Sequence, residues 1–304
     1  MIIVSGASGG FGRDTAQLLL DKGVHPATLI LTTRTPARLD DLAAKGAQVR
    51  FADFDRPETL EAAFAGGTKM LLISTARVGS RVEQHRSAIE AAKAVGVRLI
   101  AYTSLISADE DGNPAIVKLD HRATEEIMEA SGVPWTFLRD SHYAEAVSVA
   151  MVGGAFLSGG QLPDNCGDGQ VAFVSRDDCV AVAAAVLLGD GHENQAYDLT
   201  GPELLTIPQA MAMASELSGR PINVIPTDED GMFAYFDSLG IPRHASDDVP
   251  DGPIPWSSDD MVTFGQSIRE GYFAKKSDVV ERLTGRKPRS LHDVMRANQH
   301  LWAQ

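Results

Sequence analysis

The sequence predicts an α/β protein of the Rossmann type, a doubly wound parallel sheet with a smaller C-terminal α+β lobe. Two observations carry this expectation. Short apolar runs alternate with amphipathic stretches up to residue 145, the pattern of a parallel sheet covered by helices on both faces. A glycine-rich turn, Gly6-Ala7-Ser8-Gly9-Gly10-Phe11-Gly12, also joins the first apolar run to the first amphipathic stretch. With 304 residues the chain is long enough for one large domain with an attached lobe.

Met1–Ser5 reads as the first strand and Phe11–Lys22 as its helix, closed by Gly23. Ala27–Thr33 is the second strand, after which Thr35-Pro36 supplies an N-cap and a proline at the first helical position. Gln48–Phe54 is the third strand, and a helix is expected to start between Asp55 and Pro57. Lys69–Thr75, Arg98–Ser104 and Trp135–Arg139 follow as strands four to six, with helices over Arg81–Val95 and Asp120–Ala130. Residues 1–145 are therefore expected to form the nucleotide-binding domain, its core continued by strands at Val171–Val174 and Ala196–Leu199. Residues 146–304 would form mostly a substrate-binding lobe. Ser175-Arg176-Asp177-Asp178 reads as a helix cap. Residues 240–258, rich in Pro, Asp and Gly, read as a surface loop, with helices resuming at Ser258–Phe273 and Ser290–Ala303.

Lysine and arginine total 27 against 41 acidic residues, a net charge of −14, which argues against a nucleic-acid surface. Two cysteines, Cys166 and Cys179, provide neither a disulfide framework nor a thiolate-rich metal site. The eight histidines lack metal-ligand spacing, so no metal is expected. No signal-like segment precedes the first strand, and no apolar run reaches membrane-spanning length. The expectation is a cytoplasmic protein without a membrane partner, with a homodimer as one arrangement.

Glycine lets the chain turn tightly, approach a diphosphate and pack helix against strand, while the helix N-terminus offers free N–H groups. Gly6, Ser8, Gly9, Gly10, Phe11 and Gly12 are thus candidate cofactor-binding residues. The same residues also match G-x-S-x-G, the nucleophile elbow of α/β-hydrolases. That elbow needs earlier strands to build an oxyanion hole, and only five residues precede Gly6. The cofactor type is read at the end of the second strand, where an NAD site carries an acid. Here Thr32-Thr33-Arg34 stands, with no carboxylate before Asp40. A guanidinium suits a 2′-phosphate, so the expected cofactor is NADPH, with Thr33 and Arg38 as helpers.

The sequence resembles the NmrA-like group of atypical short-chain dehydrogenase/reductases, and within it the bacterial triphenylmethane reductases and NADPH:quinone reductases. The resemblance rests on Ser5-Gly6-Ala7-Ser8-Gly9, Arg34, the run Gly46–Asp53, Leu72-Ile73-Ser74-Thr75 and Ala101-Tyr102-Thr103-Ser104. It continues through His121–Glu125, Gly132–Arg139 and Gly191–Tyr197, and weakens across 240–258. It implies that Asp53 and Phe54 border the adenine and that Ser74 and Thr75 line the cofactor's path. It further implies that Ser104 and Phe137–Arg139 approach the nicotinamide. His121 stands where related plant benzylic ether reductases carry a working lysine and the quinone reductases a histidine. Asp140 departs from the asparagine usual in the group.

Short-chain dehydrogenases usually protonate substrate through a Tyr-x-x-x-Lys pair. Only Tyr272 has a lysine four residues on, Lys276, far along the chain from the fifth strand. His121 is then either a proton donor, because imidazole titrates near neutrality, or a helix-start histidine bonded to a neighbouring carbonyl. Ser104 is placed to orient the nicotinamide or touch substrate, and His142 and Tyr143 to wall the substrate pocket. Lys118 and Asp120 read as solvated charges. The expected activity is NADPH-dependent hydride transfer to a conjugated aromatic or quinoid small molecule, which needs positioning more than a strong acid. A redox sensor that binds NAD(P) without turnover, and a lyase or isomerase on the same fold, are the other classes.

Overall fold

The computed structural model describes residues 1–79, 81–244 and 257–302. The strands are β1 (Ile2–Val4), β2 (Leu29–Thr33), β3 (Gln48–Phe51), β4 (Lys69–Leu72), β5 (Leu99–Leu105) and β6 (Trp135–Asp140). After them come β7 (Gln161–Asp164), β8 (Gln170–Val171), β9 (Gln195–Leu199), β10 (Leu205–Thr206) and β11 (Asn223–Pro226). Seven strands form one sheet in the order β3-β2-β1-β4-β5-β6-β9. All its pairings are parallel. The order reverses between β1 and β4, the place where open α/β sheets leave a crevice at their carboxyl edge.

Helices α1 (Gly10–Asp21), α2 (Asp40–Ala44), α3 (Leu60–Phe64), α4 (Arg81–Ala94) and α5 (Ile116–Ser131) connect the first six strands. Next come α6 (Val152–Leu157), α7 (Arg176–Leu188), α8 (Ile207–Ser218), α9 (Glu229–Ser238), α10 (Ser258–Arg269), α11 (Val279–Thr284) and α12 (Leu291–Asn298). Side chains alternate across each strand, and both faces of the sheet are covered, so both sets are apolar. Val4, Leu31, Leu71 and Leu138 pack against Ala16 and Leu19 of α1 and Val182 and Val186 of α7. Ile3, Ile30, Met70, Tyr102 and Phe137 pack against Phe64, Ile89 and Met128 on the other side. Each such leucine or isoleucine contributes roughly 1.5–3 kcal/mol by leaving water. A further core joins Val147, Phe173, Met211, Phe273, Val294 and Trp302 beyond β6.

The structure moves several expected boundaries. The third strand stops at Phe51 and the fourth at Leu72, leaving Asp53, Phe54, Ser74 and Thr75 in the loops beyond. Thr35 makes no side-chain cap bond; its hydroxyl instead reaches Ser8 at 3.3 Å. Helix α5 begins a turn early, at Ile116, because its first turns pack inward, with Lys118 6% and Asp120 7% exposed. Those two charges are buried, contrary to the solvated reading. Ser175 does cap α7, accepting from the Asp177 N–H. α10 stops at Arg269, short of the buried Phe273, and α12 at Asn298, followed by a 3-10 turn over Gln299–Trp302. Most of the expected 240–258 loop, residues 245–256, lies outside the described residues, as does Ala303.

The contact that sets α1 against β1 is backbone on backbone. A Cβ at Gly12 would stand 2.7 Å from the Gly6 carbonyl oxygen and 2.8 Å from the Ala7 Cα. Neither atom belongs to a movable side chain. Gly12→Ala should therefore destabilise the protein by roughly 1–3 kcal/mol, the usual cost of overpacking, as read by urea denaturation. Wild-type stability would show that α1 does not depend on this approach.

Candidate active site

At the carboxyl edge of β1 the chain turns through Gly6, whose φ of +57° lies in the left-handed region that glycine adopts freely. The Gly9 N–H closes the turn on the Gly6 carbonyl at 2.9 Å. Gly9 is the N-cap of α1 and brings no side-chain acceptor. The first N–H groups of the helix therefore face the crevice, with the positive end of the helix dipole behind them. Gly6, Gly9 and Gly10 are exposed, so the crevice reaches the backbone itself.

Beside this turn, the Ser8 and Thr33 hydroxyls bond at 2.6 Å, and Thr33 Oγ1 accepts the Thr35 N–H at 3.0 Å. This hydroxyl ladder fixes the β2 turn that carries Arg34. The Arg13 guanidinium is tied to the Arg38 carbonyl and to Asp41. Among the described residues the Arg34 and Arg38 guanidinium groups are exposed and have no partner. Asp53 accepts from the Asp55 N–H at 3.2 Å, and Phe54 lies half-buried against the core.

The loop after β4 is pinned from beneath. Ile73 N–H donates to Ser5 and Ser74 N–H to Thr103. Thr75 N–H donates to His85 Nε2 at 3.1 Å, and its hydroxyl donates to Gln84 at 2.7 Å. Gly79 N–H donates to Asp120 at 2.6 Å. These partners fix both buried histidines as neutral tautomers. His85 Nε2 accepts, so its proton sits on Nδ1 and reaches Thr124 at 2.9 Å. His121 Nε2 faces the Arg81 guanidinium, which can only donate, at 3.1 Å. Its proton is therefore on Nδ1, donated to the Tyr102 hydroxyl at 2.9 Å. Burial and the Arg81 charge push His85 down to about 3 and hold His121 well below the imidazole range.

The expected nicotinamide and catalytic residues divide between two faces of the sheet. Ser104 donates to Glu125 Oε1 at 2.7 Å, and Arg139 meets both oxygens of the same carboxylate at 2.9 and 2.8 Å. Glu125 is fully buried, so Ser104 and Arg139 neutralise and solvate an interior charge. Phe137 is also turned inward, stacked on Trp135 at 3.8 Å between ring centroids, and fully buried. His121, Ser104, Arg139 and Phe137 thus sit under the crevice, engaged with protein partners. With Nε2 facing Arg81, the His121 ring is engaged on both nitrogens by protein partners.

On the opposite face, Tyr143 donates to Asp140 Oδ2 at 2.5 Å, and burial pushes the Asp140 carboxyl up to about 7. The same burial, with Asp140 adjacent, lifts the Tyr143 hydroxyl well above its usual range. Asp140 Oδ1, Ser141 Oγ, His142 Nδ1 and Arg176 Nε are buried polar atoms without partners among the described residues. Of these four residues, Arg176 is the one whose guanidinium reaches the N-terminus of α1. Arg176 is a residue that sequence reasoning left as part of a helix cap. A Cβ on Gly10 would stand 3.7 Å from its Nη1. Nothing local in the sequence links those two positions.

A family model described as NAD(P)H-binding matches residues 6–188. Quinone oxidoreductase 2 of Escherichia coli is 35% identical over 276 residues, covering 88% of this chain and 93% of that protein. The crystal structure of that NADPH-dependent quinone oxidoreductase with NADPH superposes with a TM-score of 0.87 at 33% identity, covering 99% and 100% of the two chains. The Citrobacter sp. triphenylmethane reductase complexed with NADP(H) gives a TM-score of 0.83 at 29% identity, covering 98% and 99%.

The buried histidines generate a pH prediction. Each binds its proton less tightly in the folded than in the unfolded chain, so folding opposes protonation and stability falls as pH drops below 6.5. Asp140 and Asp260, raised by burial to about 7 and about 6, act in the opposite direction over the acid range. The informative quantity is therefore a difference between variants. His121→Asn should lose less stability than the parent on acidification, by about 1.4 kcal/mol per pH unit below 6.5. Parallel stability–pH curves would show that His121 is not held neutral.

Proposed function

We propose, from the premise that this chain belongs to the NAD(P)H-binding family of NmrA-like oxidoreductases, that it reduces a conjugated aromatic or quinoid acceptor with NADPH. The observation that carries the acceptor class is the engagement of Ser104, His121 and Tyr143, the three candidate catalytic residues. Ser104 is committed to Glu125 and His121 to Arg81 and Tyr102. Tyr143 is committed to Asp140. A simple ketone would develop a localised alkoxide that needs an acid at that moment. A quinone or a triarylmethane cation spreads or cancels the incoming charge and needs positioning in a dry site.

When bound, NADPH supplies the hydride. The N–H groups of the glycine turn hold its diphosphate, and Arg34 and Arg38 hold the 2′-phosphate. Ser74 and Thr75 border its path on a loop kept rigid by Thr103 and His85. Half-buried His142 and Phe264 lie 5.1 Å apart between ring centroids, with Phe173 and Phe273 behind them. That aromatic wall past β6 suits a flat acceptor. The names of the relatives, a quinone oxidoreductase and a triphenylmethane reductase, support the same class.

Among the described residues Arg34 has no anion to pair with, so NADPH should bind more tightly than NADH. A charge-assisted contact is worth roughly 1.5–3 kcal/mol, or about tenfold to hundredfold in affinity. Arg34→Asp should erase or reverse the preference in calorimetric titrations, and equal affinities in the parent protein would remove the basis for it. A spectrophotometric NADPH-oxidation screen over quinones, triarylmethane cations and simple ketones tests the acceptor. Turnover is expected on the first two. With His121→Asn, any loss of rate should be equal on a quinone and a cationic dye, because the dye needs no proton. A selective loss on the quinone would reinstate His121 as an acid.

A further inference from the structure

We propose that Arg176 binds the diphosphate of the dinucleotide, facing the glycine turn from the N-terminus of α7; this rests on the cofactor reading above. Helix α7 packs along α1, and both helices begin at the carboxyl edge of the sheet. Their N-termini therefore lie side by side, each with the positive end of its dipole toward the crevice. The Arg176 guanidinium projects over Gly10, with Nη1, Cζ and Nη2 at 3.7, 3.8 and 4.0 Å from the position a Cβ would take. Among the described residues it has no ion-pair partner, and its Nε is buried without a hydrogen bond.

Among the described residues no carboxylate pairs with the guanidinium, and the adjacent Glu145 is engaged by the Arg176 backbone N–H and the Ser175 hydroxyl. Asp177 is paired with Arg289, and Asp178 with Arg286. Its mounting is stiff. Glu145 accepts the Arg176 backbone N–H at 2.9 Å and the Ser175 hydroxyl at 3.2 Å. The Val174 N–H reaches the His142 carbonyl at 3.0 Å, and the Ala144 N–H reaches the Val174 carbonyl at 2.8 Å. The segment after β6 thereby holds a fork of donors in place beside the first N–H groups of α1. A half-buried guanidinium without an anion is an incomplete arrangement, and its planar fork matches phosphate oxygens. Backbone donors on one side and Arg176 on the other would hold the two phosphates between them.

Calorimetric titration of NADPH and of adenosine 2′-monophosphate, which carries the 2′-phosphate but no diphosphate, separates this role from the others. Arg176→Met should weaken NADPH roughly tenfold to hundredfold, leave adenosine 2′-monophosphate and the melting temperature unchanged, and be partly rescued by Arg176→Lys. Arg34→Asp should weaken both nucleotides. Parental NADPH affinity in Arg176→Met, or equal losses on both nucleotides, would overturn the assignment while leaving the cofactor site standing. Inorganic pyrophosphate binding as tightly as NADPH would also overturn it, making Arg176 a free-phosphate residue. Absence of NADPH binding by the parent protein would instead reject the cofactor reading, and Arg176 with it.

Discussion

Where any other residue would carry a methyl group or more, Gly12 presents only hydrogen to the Gly6 carbonyl and the Ala7 Cα. That approach lets α1 start directly at the end of β1 rather than a turn away from it. The rest of the crevice inherits its position from this contact. Helix α7 lies along α1 through Ala16, Leu19, Val182 and Val186, so the point where α1 begins decides where α7 can present Arg176. The β2 turn is joined to the same loop through Ser8 and Thr33, which places Arg34 on its other flank. One absent side chain thus fixes three separate donors around one turn.

Electrostatics reinforce that local geometry against the global trend. The chain carries −14 overall, which at long range repels a phosphate-bearing cofactor. Beyond a Debye length of about 8 Å at physiological salt that repulsion is screened, leaving the nearby cations to decide. Among the described residues Arg34, Arg38 and Arg176 form no ion pair, whereas Arg13, Arg286 and Arg289 are paired. Pairing thus divides these arginines into two groups. The same separation runs through the interior, where Arg81 and Arg139 serve Asp120, His121 and Glu125.

The parallel sheet and the glycine turn at the end of β1 were legible in the sequence because each is a local pattern of alternation or spacing. Strand ends were less so, since Phe54 and Thr75 look like strand residues, but β2 ends opposite Phe51 and beyond Leu72 the backbone turns to side-chain partners on Thr103 and His85. Lys118 and Asp120 misled because polarity normally reports exposure, and here a carboxylate is buried to hold Arg81 and the Gly79 N–H. Arg176 and Glu145 were invisible for another reason. Their meaning depends on which helix lies beside which, and that follows from sheet order rather than from any neighbouring residues.

His121 shows how far a residue type can stand from its chemistry. As a residue type it suggests a proton donor near neutral pH. Its surroundings reverse that reading, because Arg81 cannot accept a hydrogen bond and so claims the Nε2 lone pair. A protonated ring would place two cations against each other in a buried space. The neutral ring instead joins Tyr102 on β5 to Arg81 on α4, and Arg81 in turn steadies Asp120 and the loop that carries Ser74 and Thr75. The histidine therefore acts on its surroundings through the rigidity of the loop after β4.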